Sequence, residues 1–273
     1  MKFVKAFVIS FFIISVMVFG GSLIKQFFNY DSSKPIIVSE MDEIEIPCDY
    51  TNEEIMQGLS AHDETDGDIT DKITIGNTSR FIEKGVCDIT YTVFDSSNQS
   101  ASLIRRVKFI DYQSPRFILS APLVFEEGKM GSLKILDLFS AYDMLDKEIK
   151  DGITQVDSTV NYSTQGTYEI TVEVTNSKGD TSTLTIPVHI LPRESINCEI
   201  TLSENIVYLN VGDAFDPASY VISAVGNDGN ALDLAGLGIT SNVDTNQAGV
   251  YEVCYDPGSL GYSCPVYMTV VVR

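Results

Sequence analysis

Asp63, Asp66, Asp68 and Asp71 fall within nine residues, with Gly67 among them to permit a tight turn. Carboxylates this dense supply hard oxygen ligands, and the cation suited to them is Ca²⁺. The spacing is not that of a twelve-residue EF-hand loop, which closes on a bidentate glutamate this segment lacks. The plainer use of the same residues is structural, because aspartate at a turn accepts backbone N–H bonds and caps it. Asp143, Asp146, Glu148 and Asp151 form a second group of the same kind. No cofactor other than this calcium is implied.

The five cysteines are the next reactive set. An odd number in an exported chain leaves at least one as a thiol or an intermolecular link. Cys48 continues the inward parity of Ile44 and Ile46, and Cys87 shares the parity of Ile89, Tyr91 and Val93. The two are expected either to form a bridge inside one core or to sit there as small hydrophobes. Cys254 and Cys264 flank the turn PGSLG and are candidates for a cross-strand bond, although their parities differ and a bulge would be needed. Cys198 is expected to be the odd one.

Catalysis finds little support. Of the two histidines, His62 lies beside the acidic turn and His189 sits on the polar parity of a strand. Both read as surface histidines, and neither is placed next to a nucleophilic Ser or Cys. Asp66 and Asp68 have the residue type of a glycosidase pair, but that chemistry needs two carboxyls across a cleft, and a small sandwich offers little concavity. The chain is expected not to be an enzyme.

The elements that must carry these residues repeat along the chain. AHDETDGDITDKITI from Ala61 matches AYDMLDKEIKDGITQ from Ala141 at an offset of eighty residues. The register continues in strands opening at Gly85, Gly166 and Gly249, 81 and 83 residues apart. A period near eighty is too long for a solenoid and suits self-contained domains. Within the second copy, Tyr168, Ile170, Val172 and Val174 alternate with polar residues, as do Leu184, Ile186, Val188 and Ile190 after the turn at 176–180. Such a period of two marks half-buried antiparallel strands, here the two arms of a closing hairpin. Thr51 followed by Glu54 has the form of a capping box, which predicts a short helix in TNEEIMQGL, matched by GSLKILDLF in the second copy. About seven short strands per copy indicate an Ig-like sandwich. The expected fold is therefore all-β: three tandem Ig-like β-sandwich domains at 33–112, 113–192 and 193–273, the last degenerate, following an N-terminal transmembrane helix within 1–29. Prolines at 115 and 192 restrict bending at the junctions. A semi-rigid row of separately closed cores is the expected layout.

Charge and hydropathy bound the setting. The 38 acidic against 18 basic residues give a net charge of −20, and no basic stripe accompanies the isolated Arg105–Arg106 pair. That excludes nucleic acid as a natural partner, since phosphate binding rests on Lys and Arg. Residues 6–24 carry no charge and follow Lys2 and Lys5. As a helix they would span about 28 Å, close to the thickness of a bilayer core. The flanking lysines orient the rest of the chain outside, whether the segment stays as a signal anchor, the reading preferred here, or is cut as a signal peptide and the remainder secreted. Asn77, Asn98 and Asn161 match glycosylation sequons, which in a bacterial chain are read as chance.

AHDETDGDIT, the strand GVCDITYTVF with its D-S-S-N turn, and VGDAFDPASYVISAVGNDGN in the third copy together resemble the bacterial Ig-like domain family known from pesticidal crystal proteins and from surface proteins of Gram-positive bacteria. The resemblance covers most of residues 35–273. It is strongest in the first copy and weakest in the third, where the acidic run shrinks to Asn227-Asp228-Gly229-Asn230. It implies a fold and an extracytoplasmic setting, with no shared catalytic residues.

Three roles follow. The first is a membrane-anchored protein of adhesion, surface display or simple stalk, meeting a protein or glycan partner. A calcium-dependent carbohydrate-binding module is the second, weakened by the absence of tryptophan. The third is an accessory subunit of a cell-envelope complex.

Overall fold

The computed structural model describes residues 2–28, 33–129 and 134–273. Lys2–Phe28 forms one α-helix of 27 residues, α1, whose Phe3, Phe7, Phe11, Phe12 and Phe19 are exposed. Among the described residues no helix is long and apolar enough to cross a membrane. Beyond α1 the chain is all-β with short helical pieces. It divides into two compact units, Met1–Ile110 and Asp111–Arg273.

In the first unit the strands are β1 (Ile36–Ser39), β2 (Glu43–Ile46), β3 (Leu59–Asp63), β4 (Gly67–Asp68), β5 (Thr74–Thr78), β6 (Val86–Phe94) and β7 (Ser100–Phe109). They form two sheets, β1-β3-β4 and β2-β7-β6-β5, with β2 parallel to β7. Ile89, Tyr91 and Val93 of β6 and Val107 and Phe109 of β7 point inward, as alternation requires. The predicted capping box is present: Glu54 N–H donates to Thr51 Oγ1 and Thr51 N–H donates to the Glu54 carboxylate, opening α2 (Asn52–Met56).

Arg105 lies on the same inward parity as Val107 and is 1% exposed. Its guanidinium donates to the carbonyls of Gln57 (2.6 Å) and Ile55 (2.5 Å) at the C-terminal end of α2 and stacks over the Tyr91 ring. Tyr91 Oη donates to the same Ile55 carbonyl at 2.8 Å. A helix end buried against a sheet leaves carbonyls without intrahelical partners, and here a cation set at the negative end of the helix satisfies them.

The second unit repeats this wiring. Its strands β8 (Arg116–Leu119), β9 (Val124–Glu126), β10 (Phe139–Asp143), β11 (Lys147–Ile149), β12 (Thr154–Ser158), β13 (Gly166–Thr175) and β14 (Thr181–Leu191) form sheets β11-β10-β8 and β12-β13-β14-β9, with β9 parallel to β14. Then β15 (Cys198–Leu202), β16 (Ile206–Leu209), β17 (Val221–Gly226), β18 (Gly238–Ser241), β19 (Gly249–Asp256) and β20 (Val266–Val272) form β15-β17 and β16-β20-β19-β18, with β16 parallel to β20. The strand matching β4 and β11 is reduced there to a bridge between Val225 and Ala231. The short helix expected in GSLKILDLF is a 3₁₀ turn at Ile135–Leu138, and the first residues of that segment lie outside the described residues.

The expectation of separately closed cores needs correction within this unit. Ile206 of β16 is buried in the core that β8, β10, β13 and β14 build, and Tyr208 and Val271 pack against it. Tyr208 Oη accepts a 2.9 Å bond from the backbone N–H of Phe117, and the guanidiniums of Arg116 and Arg273 both lie over its ring. Burial pushes the Tyr208 hydroxyl up to about 12, against the opposing pull of the Phe117 N–H and the two arginines. Asn205 Nδ2 donates to the Leu119 carbonyl at 3.1 Å. The short linker of Pro192 and its neighbours leaves no chain to hold these faces apart, so their apolar edges are buried against each other.

Removing the Arg105 side chain empties a buried site and takes a charge-assisted bond from the buried Ile55 carbonyl, so Arg105→Ala is expected to destabilise the first unit by about 3 kcal/mol. Hydrogen exchange of residues 86–109, followed by mass spectrometry, should accelerate accordingly. Alanine at the neighbouring, outward Arg106 should leave that exchange nearly unchanged.

Candidate functional site

The four aspartates singled out in the sequence do not converge on one point. Asp63 ends β3 and is 1% exposed. Its Oδ1 accepts the backbone N–H groups of Thr65 (2.9 Å) and Asp66 (3.0 Å), and its Oδ2 accepts the Ser33 hydroxyl at 3.2 Å. Asp66 turns away toward the opposite sheet, where it accepts the backbone N–H of Ser96 (2.6 Å) on one oxygen and the Ser96 hydroxyl (2.7 Å) on the other. Lys72 stands 3.6 Å from it. Asp68 accepts Thr70 N–H at 2.9 Å just before the 3₁₀ turn Thr70–Lys72, and Asp71 lies within that turn. Among the described residues no group of three or more His, Cys, Asp or Glu is placed to hold a metal ion.

The hydrogen bonds carry the electrostatics. Asp63 is held below the usual carboxylate range, chiefly by the Asp66 N–H and against the effect of burial. Asp66 is held low by Ser96, and Asp68 by Thr70.

The second copy builds the same arrangement eighty residues on. Asp143 Oδ1 accepts Leu145 N–H (2.6 Å) and Asp146 N–H (2.9 Å), and Asp146 accepts Ser177 N–H and the Ser177 hydroxyl, both at 2.6 Å. The acidic motif is thus a clasp. A turn in one sheet sends a carboxylate across to the hairpin turn of the other, and the two sheets are locked at one end.

Sequence reasoning missed the far half of this clasp. Asp95 and Asn176 occupy equivalent places, each turning its Oδ1 onto two N–H groups of its own hairpin: Ser97 and Gln99 at 2.8 and 2.7 Å, Lys178 and Asp180 at 3.0 and 2.8 Å. Asn176 Nδ2 then donates to Asp143 Oδ2 and to Tyr112 Oη, both at 2.7 Å, and Tyr112 donates to Asp180 at 2.7 Å. Burial, followed by these carboxylates, raises the Tyr112 hydroxyl well above the usual tyrosine range. The signal that could have found the pair was the serine recurring as Ser96 and Ser177, 81 residues apart.

In the third copy a covalent bond stands at this end. Cys198 at the start of β15 is bonded to Cys264, with Cα atoms 5.6 Å apart. Asn197 Oδ1 accepts Ser263 N–H at 2.7 Å beside it. This corrects the expected Cys254–Cys264 bond and the expectation that Cys198 is the odd one. Cys254 lies on β19 opposite Tyr267 and only half-buried, whereas Cys264 precedes β20 and points into the core, 3% exposed, toward the other sheet. Cys48 and Cys87 do both point into the first core, as their parity required.

His62 is exposed, as expected. His189 is not a surface residue: it is 7% exposed, its ring is stacked 3.5 Å from that of Tyr267, its Nε2 lies 2.8 Å from Glu252 Oε1 and its Nδ1 is 3.1 Å from Thr167 Oγ1. The parity was read correctly, but the polar face of β14 is covered by the next copy.

Residues 208–267 match the family model described as bacterial Ig-like domain (group 3). The pesticidal crystal protein Cry22Aa of Bacillus thuringiensis is 29% identical over 238 residues, which cover 82% of this chain and 31% of that protein. An uncharacterized 81.3 kDa protein of Acholeplasma phage L2 is 30% identical over 129 residues, 44% of this chain and 17% of the other. The chain therefore spans less than a third of the length of these relatives. Among solved structures, the CBM51-2 and INT domains of Clostridium perfringens ZmpB with GlcNAc share 18% identity over 55% of this chain and 26% of that one, at a TM-score of 0.23. The protocadherin GammaB4 extracellular domain shares 11% over 89% of this chain and 51% of that one, also at 0.23. Superpositions that loose decide nothing here. The resemblance to bacterial Ig-like domains is borne out, and the family model matches the copy whose acidic motif is most reduced.

Carboxylates whose pKa is depressed in the fold stabilise it at any pH above their unfolded value, here near 3.8, and that contribution disappears as pH falls through the lower folded values. The urea midpoint of the first unit is expected to be flat from pH 7 to 5 and to fall below about pH 4. Circular dichroism titrations at each pH would measure it, and Asp66→Asn should remove part of the acid-side slope.

Proposed function

We propose that the chain is a non-enzymatic extracytoplasmic protein of Ig-like copies, held at a membrane by residues 6–24, that acts in adhesion or surface display. Support for the anchor comes from the sequence, an uncharged run behind two lysines, together with the helical conformation of that run and its exposed phenylalanines. Support for three copies comes from the strand order, which recurs three times with the same parallel edge.

The observation that carries the binding role is the outer strand β1. It sits at the edge of its sheet, paired to β3 alone, and turns Ile36 (64% exposed) and Val38 (52%) toward solvent. These two line a shallow depression with Ser60, His62, Asp68 and Thr70. Edge strands are usually blunted by charge or proline, and one that keeps two exposed β-branched residues is suited to meeting another protein. The acidic residues of the repeat serve the scaffold, so the recognition surface lies on the sheets.

In cells carrying the full chain, external protease should remove residues 33–273 from intact membranes, and the protein should adhere to isolated cell envelopes. Replacing Ile36 and Val38 together by lysine is expected to lower that adhesion about tenfold, the effect of losing roughly 1.4 kcal/mol. Protection of the domains from protease would reject the orientation, and unchanged adhesion by the double variant would reject the surface.

A further inference from the structure

We propose that the first copy binds a calcium ion between Asp63 and Asp95. Asp95 is 5% exposed, and although its Oδ1 accepts two backbone N–H bonds, its Oδ2 is buried with no hydrogen-bond partner. A carboxylate oxygen in that state is costly unless a positive charge reaches it.

The second copy shows where this oxygen points. Asp95 and Asn176 fix their Oδ1 atoms on the same two hairpin N–H positions, and the two side chains have the same planar shape. The remaining branch atom, Oδ2 in one and Nδ2 in the other, therefore takes the same direction. In the second copy that branch is an amide donating to Asp143 Oδ2 at 2.7 Å. In the first copy an acceptor stands in its place, and by the same geometry its direction leads toward the equivalent acceptor, Asp63 Oδ2, which receives the Ser33 hydroxyl at 3.2 Å. Two carboxylate oxygens directed at each other, in residues 1% and 5% exposed, call for a cation between them.

The donors identify its class. Two carboxylate oxygens and the Ser33 hydroxyl are hard oxygen ligands, with water completing the shell. Gln99 Nε2 holds the Ser33 carbonyl, fixing that segment against the pair. An irregular oxygen cage of this kind suits Ca²⁺, which accepts six to eight ligands flexibly, better than Mg²⁺, which demands a near-octahedral shell. With only two charged ligands the affinity belongs to the extracellular range, a Kd of about 0.1–1 mM. This site differs from the one the sequence suggested, because Asp66, Asp68 and Asp71 are committed to Ser96, Lys72 and the 3₁₀ turn.

The test is an exchange of one copy's chemistry for the other's. The full chain in detergent micelles is titrated with CaCl₂ by calorimetry in 100 mM KCl and 5 mM MgCl₂, and its thermal unfolding is followed with and without EDTA. Wild type is expected to bind one calcium and to unfold at a higher temperature when loaded. Asp95→Asn should weaken that binding at least tenfold. In EDTA it should unfold at a higher temperature than wild type, because the amide restores the bond seen in the second copy. No calcium binding by wild type, or Asp95→Asn binding as tightly as wild type, would overturn the proposal, and the wild-type titration decides this even if the variant folds poorly. A thermal midpoint that does not respond to calcium would also overturn it. None of these outcomes bears on the adhesion surface at β1, which is tested separately.

Discussion

The two sheets of each copy meet through apolar side chains, and apolar contact is not directional. Something else must fix which end of one sheet lies over which end of the other. In the first two copies it is a carboxylate sent from the turn after β3 or β10 onto a serine in the opposing hairpin, Asp66 to Ser96 and Asp146 to Ser177. Each of these acids engages both a backbone N–H and a hydroxyl, a two-point contact that defines angle as well as distance. The partner acid, Asp63 or Asp143, folds its own turn so that the first can reach. Ser33 and Tyr112 join the same end through Asp63 and Asp143.

Three solutions to the same mechanical problem stand along one chain. The first copy uses Asp63 and Asp95 on the two sides, the second Asp143 and Asn176, and the third replaces polar contact by the Cys198–Cys264 bond. The strand order survives all three changes apart from the shrinking of one short strand. Sheet architecture is thus carried by alternation and hairpin register, and the clasp chemistry can vary over it. That separation accounts for a family likeness that reaches the third copy although its acidic motif has gone.

Much of this was legible from residue order. Period-two alternation named the buried face of β13 and β14 residue by residue, Thr51 and Glu54 announced a capped helix, and the eighty-residue offset placed the repeats. Each of these rests on contacts a few residues apart or on one strand's own geometry. What parity cannot convey is who lies opposite. It left Cys198 unpaired when its partner, Cys264, is 66 residues away. Arg105 shares the inward parity of Val107, yet a charged side chain there reads as an exception until the carbonyl end of α2 is seen beneath it.

His189 marks the limit most clearly. Its parity is polar, and in an isolated sandwich that face meets water. The neighbouring copy covers it instead, supplying Tyr267 for stacking and Glu252 for a hydrogen bond, while Tyr208 closes over the adjoining core with Arg116 and Arg273 over its ring. Apart from Ile206 and Val271, the residues that build this junction are polar or aromatic: histidine, glutamate, tyrosine and arginine. Such residues can remain in water when a copy folds and still pack closely when the next arrives, because each carries an apolar body and a polar tip. A junction made of leucines would be easier to find in a sequence, but it would leave each copy with an exposed apolar patch before its neighbour had formed. The composition that hides the interface from a sequence reading is the same one that lets consecutive copies fold before they join.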